Sequence, residues 1–130
     1  MAKIKIAVRG NRAALLGSID LIAGTVGQKC EFYFDEEWLP LNKTVTYKVG
    51  PTVLASEELK GTEITIPQNV LATAGLPLEI GITGYVPDMT TVMPTSWCRL
   101  GCIQNGAVFT VKNPNEDGDK HIIYDGGVIL

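Results

Sequence analysis

The sequence predicts an all-β protein, an antiparallel β-sandwich of about eight short strands with one short helical corner. Three observations carry this. Period-two alternation of apolar and polar residues recurs at short intervals. The 14 glycines and 7 prolines fall mostly between the alternating runs, as turns demand. Only residues 68–74 and 56–60 have helical character, and both stretches are short.

In chain order, Ile4, Ile6 and Val8 share one face of a first strand. Ile19 and Leu21 belong to a second, entered from the AALL run through Gly17, and Gly24 and Gly27 mark a turn or bulge. Cys30, Phe32 and Phe34 oppose Glu31, Tyr33 and Asp35; Val45, Tyr47 and Val49 oppose Thr44, Thr46 and Lys48. In the SEELK stretch, residues 56–60, Ser56 caps a helical turn with Leu59 facing inward. Residues 63–66 alternate until Pro67 stops them, and 68–74 make about two helical turns that Gly75 and Pro77 end. Leu78, Ile80 and Ile82 then share a face, and Tyr85 falls on the opposite one with Glu79 and Thr83. Further on, Thr95, Trp97, Arg99 and Ile103 point one way and Ser96, Cys98, Leu100 and Cys102 the other. Phe109 with Val111, and Ile122 with Tyr124, complete the series. Many short strands with turn residues between them argue a sandwich or barrel.

The chain has 130 residues, one domain of common size, and at 45% hydrophobic and 19% charged it has the means to bury a core. Net charge is −3, which disfavours nonspecific nucleic-acid binding. No apolar run is long enough for a membrane span, and the alternating MAKIKIAVRGNR start reads as a strand, not a signal peptide. Synthesis and folding in a cytoplasm are therefore expected, with no membrane insertion.

Three cysteines fit a reducing compartment as buried thiols. On an extended strand the Cα atoms of Cys98 and Cys102 would stand about 13 Å apart, too far for a disulfide. A zinc site from Cys98, Cys102 and His121 lacks the C-x-x-C spacing. The run from Asp35 through Glu36 and Glu37 to Trp38 is read as a solvated turn, with Trp38 closing one end of the core. Carboxylates adjacent in sequence do not face each other across a substrate. Asn115, Asp117 and Asp119 alternate like a cation loop but lack the downstream glutamate, so 113–120 reads as a hairpin tip. No nucleophile elbow and no phosphate loop is present. Neither a catalytic set, a metal site nor a cofactor is expected. The residues with most recognition chemistry are the aromatics Trp38, Tyr85 and Trp97, candidates for partner or glycan contact. The apolar Val128, Ile129 and Leu130 are candidates for an assembly arm that packs on this domain or on a neighbouring subunit.

One block is more specific than the rest. A strand enters FYFDEEW, the strand KTVTYKV follows, and a strand ending in Ile66-Pro67 leads to the corner QNVLATAG. The strand LEIGITGY comes next, then the run PTSWCRLGCIQNG. This order resembles a virion protein module of phages and prophages of Gram-positive bacteria, best known as the N-terminal domain of the upper baseplate protein of lactococcal-type siphophages. The resemblance covers residues 4–106; residues 107–130 lie beyond it, as a hairpin and assembly arm. It implies an immunoglobulin-like β-sandwich that docks onto other virion proteins, with no catalytic residues to carry over. In that family the domain commonly precedes a fibre or host-binding region. The short stretch after Gly106 points instead to an accessory baseplate, tail, neck or capsid-surface component. The expectation is a structural protein of the virion, made in the bacterial host cytoplasm, with other virion proteins and copies of itself as partners. The alternative is a carbohydrate-binding module for host cell-wall sugars. A small hydrolase, needing a carboxylate pair in a cleft, is the third reading.

Overall fold

The computed structural model describes residues 1–107. The expected strands at Phe109, Val111, Ile122 and Tyr124, the tip at 113–120, His121 and the arm Val128, Ile129 and Leu130 lie outside the described residues.

Alternation places the strands and burial selects their faces. The first sheet runs β2 (Arg12–Leu16), β1 (Ile4–Arg9), β4 (Lys29–Phe34), β7 (Glu63–Thr65). Its inner face is the apolar set read from the sequence. Ile4 pairs with Cys30, Ile6 with Phe32 and Val8 with Phe34. The second sheet runs β3 (Leu21–Ile22), β10 (Cys98–Gln104), β8 (Pro77–Tyr85), β5 (Asn42–Val49), β6 (Thr52–Leu59), with β9 (Val92–Pro94) also on β8. Its inner face carries Val45 and Tyr47 from β5, Leu78, Ile80 and Ile82 from β8, and Cys98, Leu100 and Ile103 from β10. The two apolar faces merge into a single buried cluster, a sandwich-like all-β arrangement.

The structure corrects the expectation in five places. There are ten strands among the described residues against seven expected there: β3 is at the expected Leu21, while β2, β6 and the three-residue β9 are additions, since 12–16 reads as a lead-in to the next strand, 52–59 lies on the sheet margin without alternation, and β9 has too few residues to show a period. Two pairings are parallel, β1 with β4 and β10 with β3, so the sheets are mixed rather than antiparallel throughout. The corner is one 3-10 turn, Gln68–Leu71, not two helical turns: Val70 and Leu71 are buried and Ala72 ends it. Residues 56–60 are not helical, because β6 extends through Leu59 and Thr46 of β5 bonds Ser56 hydroxyl to hydroxyl at 2.9 Å. The inward position of Leu59 stands. The last correction is a bulge in β10. Its register on β8 slips between Arg99 and Gly101, where Gly101 has φ 133°, open to a residue without Cβ. Cys98 and Leu100 therefore face inward before the slip and Ile103 after it, which leaves Cys102 exposed instead of buried.

One end of the sandwich is closed by polar contacts to the tight turn between β1 and β2. The Gly10 amide donates to Asp35 Oδ2 at 2.9 Å, and the Trp38 indole N–H donates to the Gly10 carbonyl at 2.8 Å. Asn11 reaches the other sheet: its side-chain amide donates to the Pro94 carbonyl and its own carbonyl accepts from the Ser96 amide. Trp38 has no exposed surface, stacks on Phe34 at 5.6 Å between centroids and packs over Gly84 of β8. A Cβ on Gly84 would stand 2.7 Å from the Trp38 Cζ3 and Leu41 Cδ1 atoms, inside van der Waals contact. Gly84→Ala should cost about 1–3 kcal/mol of stability, the scale of core overpacking, read as a lower urea midpoint with an unchanged slope.

Candidate functional site

Register and alternation turn the outer face of the second sheet into a regular array. One row across the strands holds Glu58, Thr44, Thr83 and Pro94. The next holds Ser56, Thr46 and Gly81. The third holds Val53, Lys48, Glu79 and Arg99, and Tyr85 sits at the other end of β8 beside Asn42 and Val92. The side chains at the centre are short hydroxyls and one glycine, so the middle of the face is low and its surround stands higher.

Trp97 forms the tallest wall. β9 leaves β8 at Thr95, whose amide donates to the Ile82 carbonyl at 2.8 Å while its hydroxyl oxygen accepts from the Ile82 amide at 3.0 Å. That side chain replaces a ladder acceptor, and the backbone is free to rise before β10 begins at Cys98. The Trp97 indole comes down over Gly81, where an added Cβ would lie 3.2 Å from its ring. The indole is 41% exposed. The Lys48 ammonium lies 4.5 Å from the ring centroid, a cation–π contact. Glu79 holds Lys48 at 3.2 Å and the Arg99 Nε at 3.5 Å. Its carboxylate is 17% exposed, so this pairing is less screened than a surface one. Between Trp97, Pro94, Val53 and the hydroxyls of Thr46 and Thr83 runs a groove of about 290 Å³ floored by Gly81.

The three aromatic candidates part company. Trp97 is on the outer face and exposed. Tyr85 is half-buried on the same face, where the strand alternation put it. Trp38 is corrected as a contact residue: it is wholly inside, its one donor spent on Gly10. Closing one end of the core is what it does. Asp35 is tied to the Gly10 amide, and the Asp35, Glu36 and Glu37 run does not converge on a cleft. Lys48, Glu79, Arg99, Thr46 and Gly81 were not singled out from the sequence. Their signal is present: each occupies an outward position of an alternating strand, Gly81 among polar neighbours, and only the register brings them together.

The cysteines divide by the same logic. Burial pushes the Cys30 thiol up to about 12 and raises Cys98 as well. Tyr47 lies in one row with Ile80 and Cys98, and burial raises its phenol too; its hydroxyl is enclosed without a partner.

Compared with known proteins, the chain matches no family model, no curated protein and no solved structure.

The thiolate is the reactive form of cysteine, so labelling follows exposure and pKa. Native protein treated with iodoacetamide at mild alkaline pH should label Cys102 first. Cys30 and Cys98 should react only after unfolding. Peptide mapping by mass spectrometry reads the order, and equal labelling of Cys30 and Cys102 in folded protein would contradict the packing described.

Proposed function

We propose that this chain is a structural protein of a phage or prophage virion, an immunoglobulin-like sandwich that works by binding neighbouring virion subunits and copies of itself. Two things support the reading. One is the strand, corner and strand order between Phe32 and Gly106, which resembles the baseplate module. The other carries the mechanism: among the described residues, β6 pairs with β5 on one side only.

β6 is an eight-residue edge, Thr52–Leu59, with Val53 at 55% and Leu54 at 38% exposed. An unpaired edge of that length is a template for a partner strand, with main-chain hydrogen bonds supplying affinity. The edge is also selective. A register slip opposite Tyr47 and Lys48 interrupts it, and Glu57 occupies the same face as Tyr47 at the sheet margin. A bulge and an inward-side charge of this kind discourage indiscriminate pairing. Repetition by symmetry makes a weak strand contact sufficient, because each further contact forms at high effective concentration.

Light scattering on the purified full chain should give a multiple of the monomer mass. Leu54→Lys, which changes an exposed position, should shift that mass toward monomer while leaving the circular dichroism spectrum intact. A strict monomer that captures no virion component would sink the proposal.

A further inference from the structure

We propose that the groove over Gly81 is a saccharide-binding subsite that takes a single pyranose against Trp97. The inference stands on the outer-face geometry and not on the open edge of β6.

Size makes the first selection. On standard strand spacings the array measures about 15 Å across four strands and about 20 Å along them. That is on the order of 300 Å² a side, or roughly 600 Å² for a pair, against at least about 1,200 Å² in a stable protein interface. The face is too small to hold a protein partner by itself. The groove within it, at about 290 Å³, is at the lower end of the range for small-molecule sites.

Chemistry makes the second selection. A pyranose presents an apolar face of C–H groups and a rim of hydroxyls. The groove presents the same two characters: Trp97, Pro94 and Val53 on its walls, and the hydroxyls of Thr46, Thr83 and Thr95 around its floor. Thr95 accepts from the Ile82 amide and keeps its own proton to donate. Thr46 shares one hydrogen bond with Ser56, and each oxygen retains further capacity. Stacking on an aromatic ring with hydroxyls to the side positions a sugar without charge.

The Lys48 ammonium already lies over the indole. The sugar takes its place on the ring, and Lys48 moves off the indole while keeping the ion pair it already makes with Glu79 at 3.2 Å. Removing the lysine side chain therefore frees the ring for the ligand.

The test is a titration of the labelled full chain, followed by amide and indole NMR signals. The probes are the methyl glycosides of glucose, galactose, N-acetylglucosamine and rhamnose. Binding of at least one, with shifts concentrated at Gly81, Thr83 and the Trp97 indole, is the expected result. Trp97→Ala should abolish those shifts, and Thr83→Val should weaken binding roughly tenfold, the scale of one lost hydrogen bond. Lys48→Ala should bind at least as tightly as the native chain. Should Trp97→Ala not fold, Thr83→Val and Lys48→Ala still decide the matter. No shift with any of the four sugars, shifts confined to another surface, or loss of binding in Lys48→Ala would each overturn the proposal. A strict monomer that captures no virion component yet binds a glycoside in the groove would remove the assembly reading and leave this one in place.

Discussion

β8 is built around two absences. Among the described residues it has more partner strands than any other in its sheet, bordered by β5 along one side and by β10 and β9 in succession along the other. On its inner face the side chain missing at Gly84 makes room for Trp38; on its outer face the one missing at Gly81 makes room for Trp97. Neither glycine has a positive φ, so backbone freedom is not what they supply. They supply space, at a cost in chain entropy of up to about 1 kcal/mol each. That cost is repaid inside by a large aromatic surface removed from water. Outside it leaves an indole held in place yet half accessible. The core and the outer surface thus depend on one strand, and through it each tryptophan is fixed relative to the other.

The polar contacts follow the same division. Inside, they are few and terminate chains of packing: the indole N–H of Trp38 and the carboxylate of Asp35 both end on Gly10, one on its carbonyl and one on its amide. A backbone unit satisfied twice by one turn fixes where that turn sits against the first sheet. Asn11, the next residue, performs the equivalent service for the segment that carries Trp97. Two neighbouring residues of a single tight turn therefore locate both tryptophans. On the outer face the contacts are ionic and lateral. Glu79 serves two cations at once, which holds Lys48 near the indole without enclosing it.

Where alternation was uninterrupted, the sequence could be read almost directly. The inner sets of β1, β4, β5 and β8 are those the period gives, since a pleated strand bordering one core has no other way to sort its side chains. Reading failed where the period failed. The slip at Gly101 inverts the parity of β10 halfway along, so Cys102 and Ile103 exchange the faces assigned to them. β6, at the margin of the sheet, buries only Leu59 and shows no alternation, which let Ser56 through Lys60 pass for a helical turn. The parallel pairing of β1 with β4 has no local signature at all. The outer array was half legible: Tyr85 could be placed by counting from Leu78, whereas Trp97 sits between two strands and answers to the vacancy at Gly81, a relation of space rather than of period.

Those two parallel pairings also order events in time. The β1–β2 turn and the β5–β6 turn join neighbours in sequence, and such hairpins close within microseconds. β1 meets β4 only after the chain between them has looped back, and β3, whose partner among the described residues is β10, waits for that strand. Non-local closures of this kind are entropically late. During synthesis Leu21 and the edge of β8 that takes β10 must therefore wait unpaired until the segment from Trp97 to Gln104 has left the ribosome. A chaperone that shields apolar strands would find its longest opportunity in that interval.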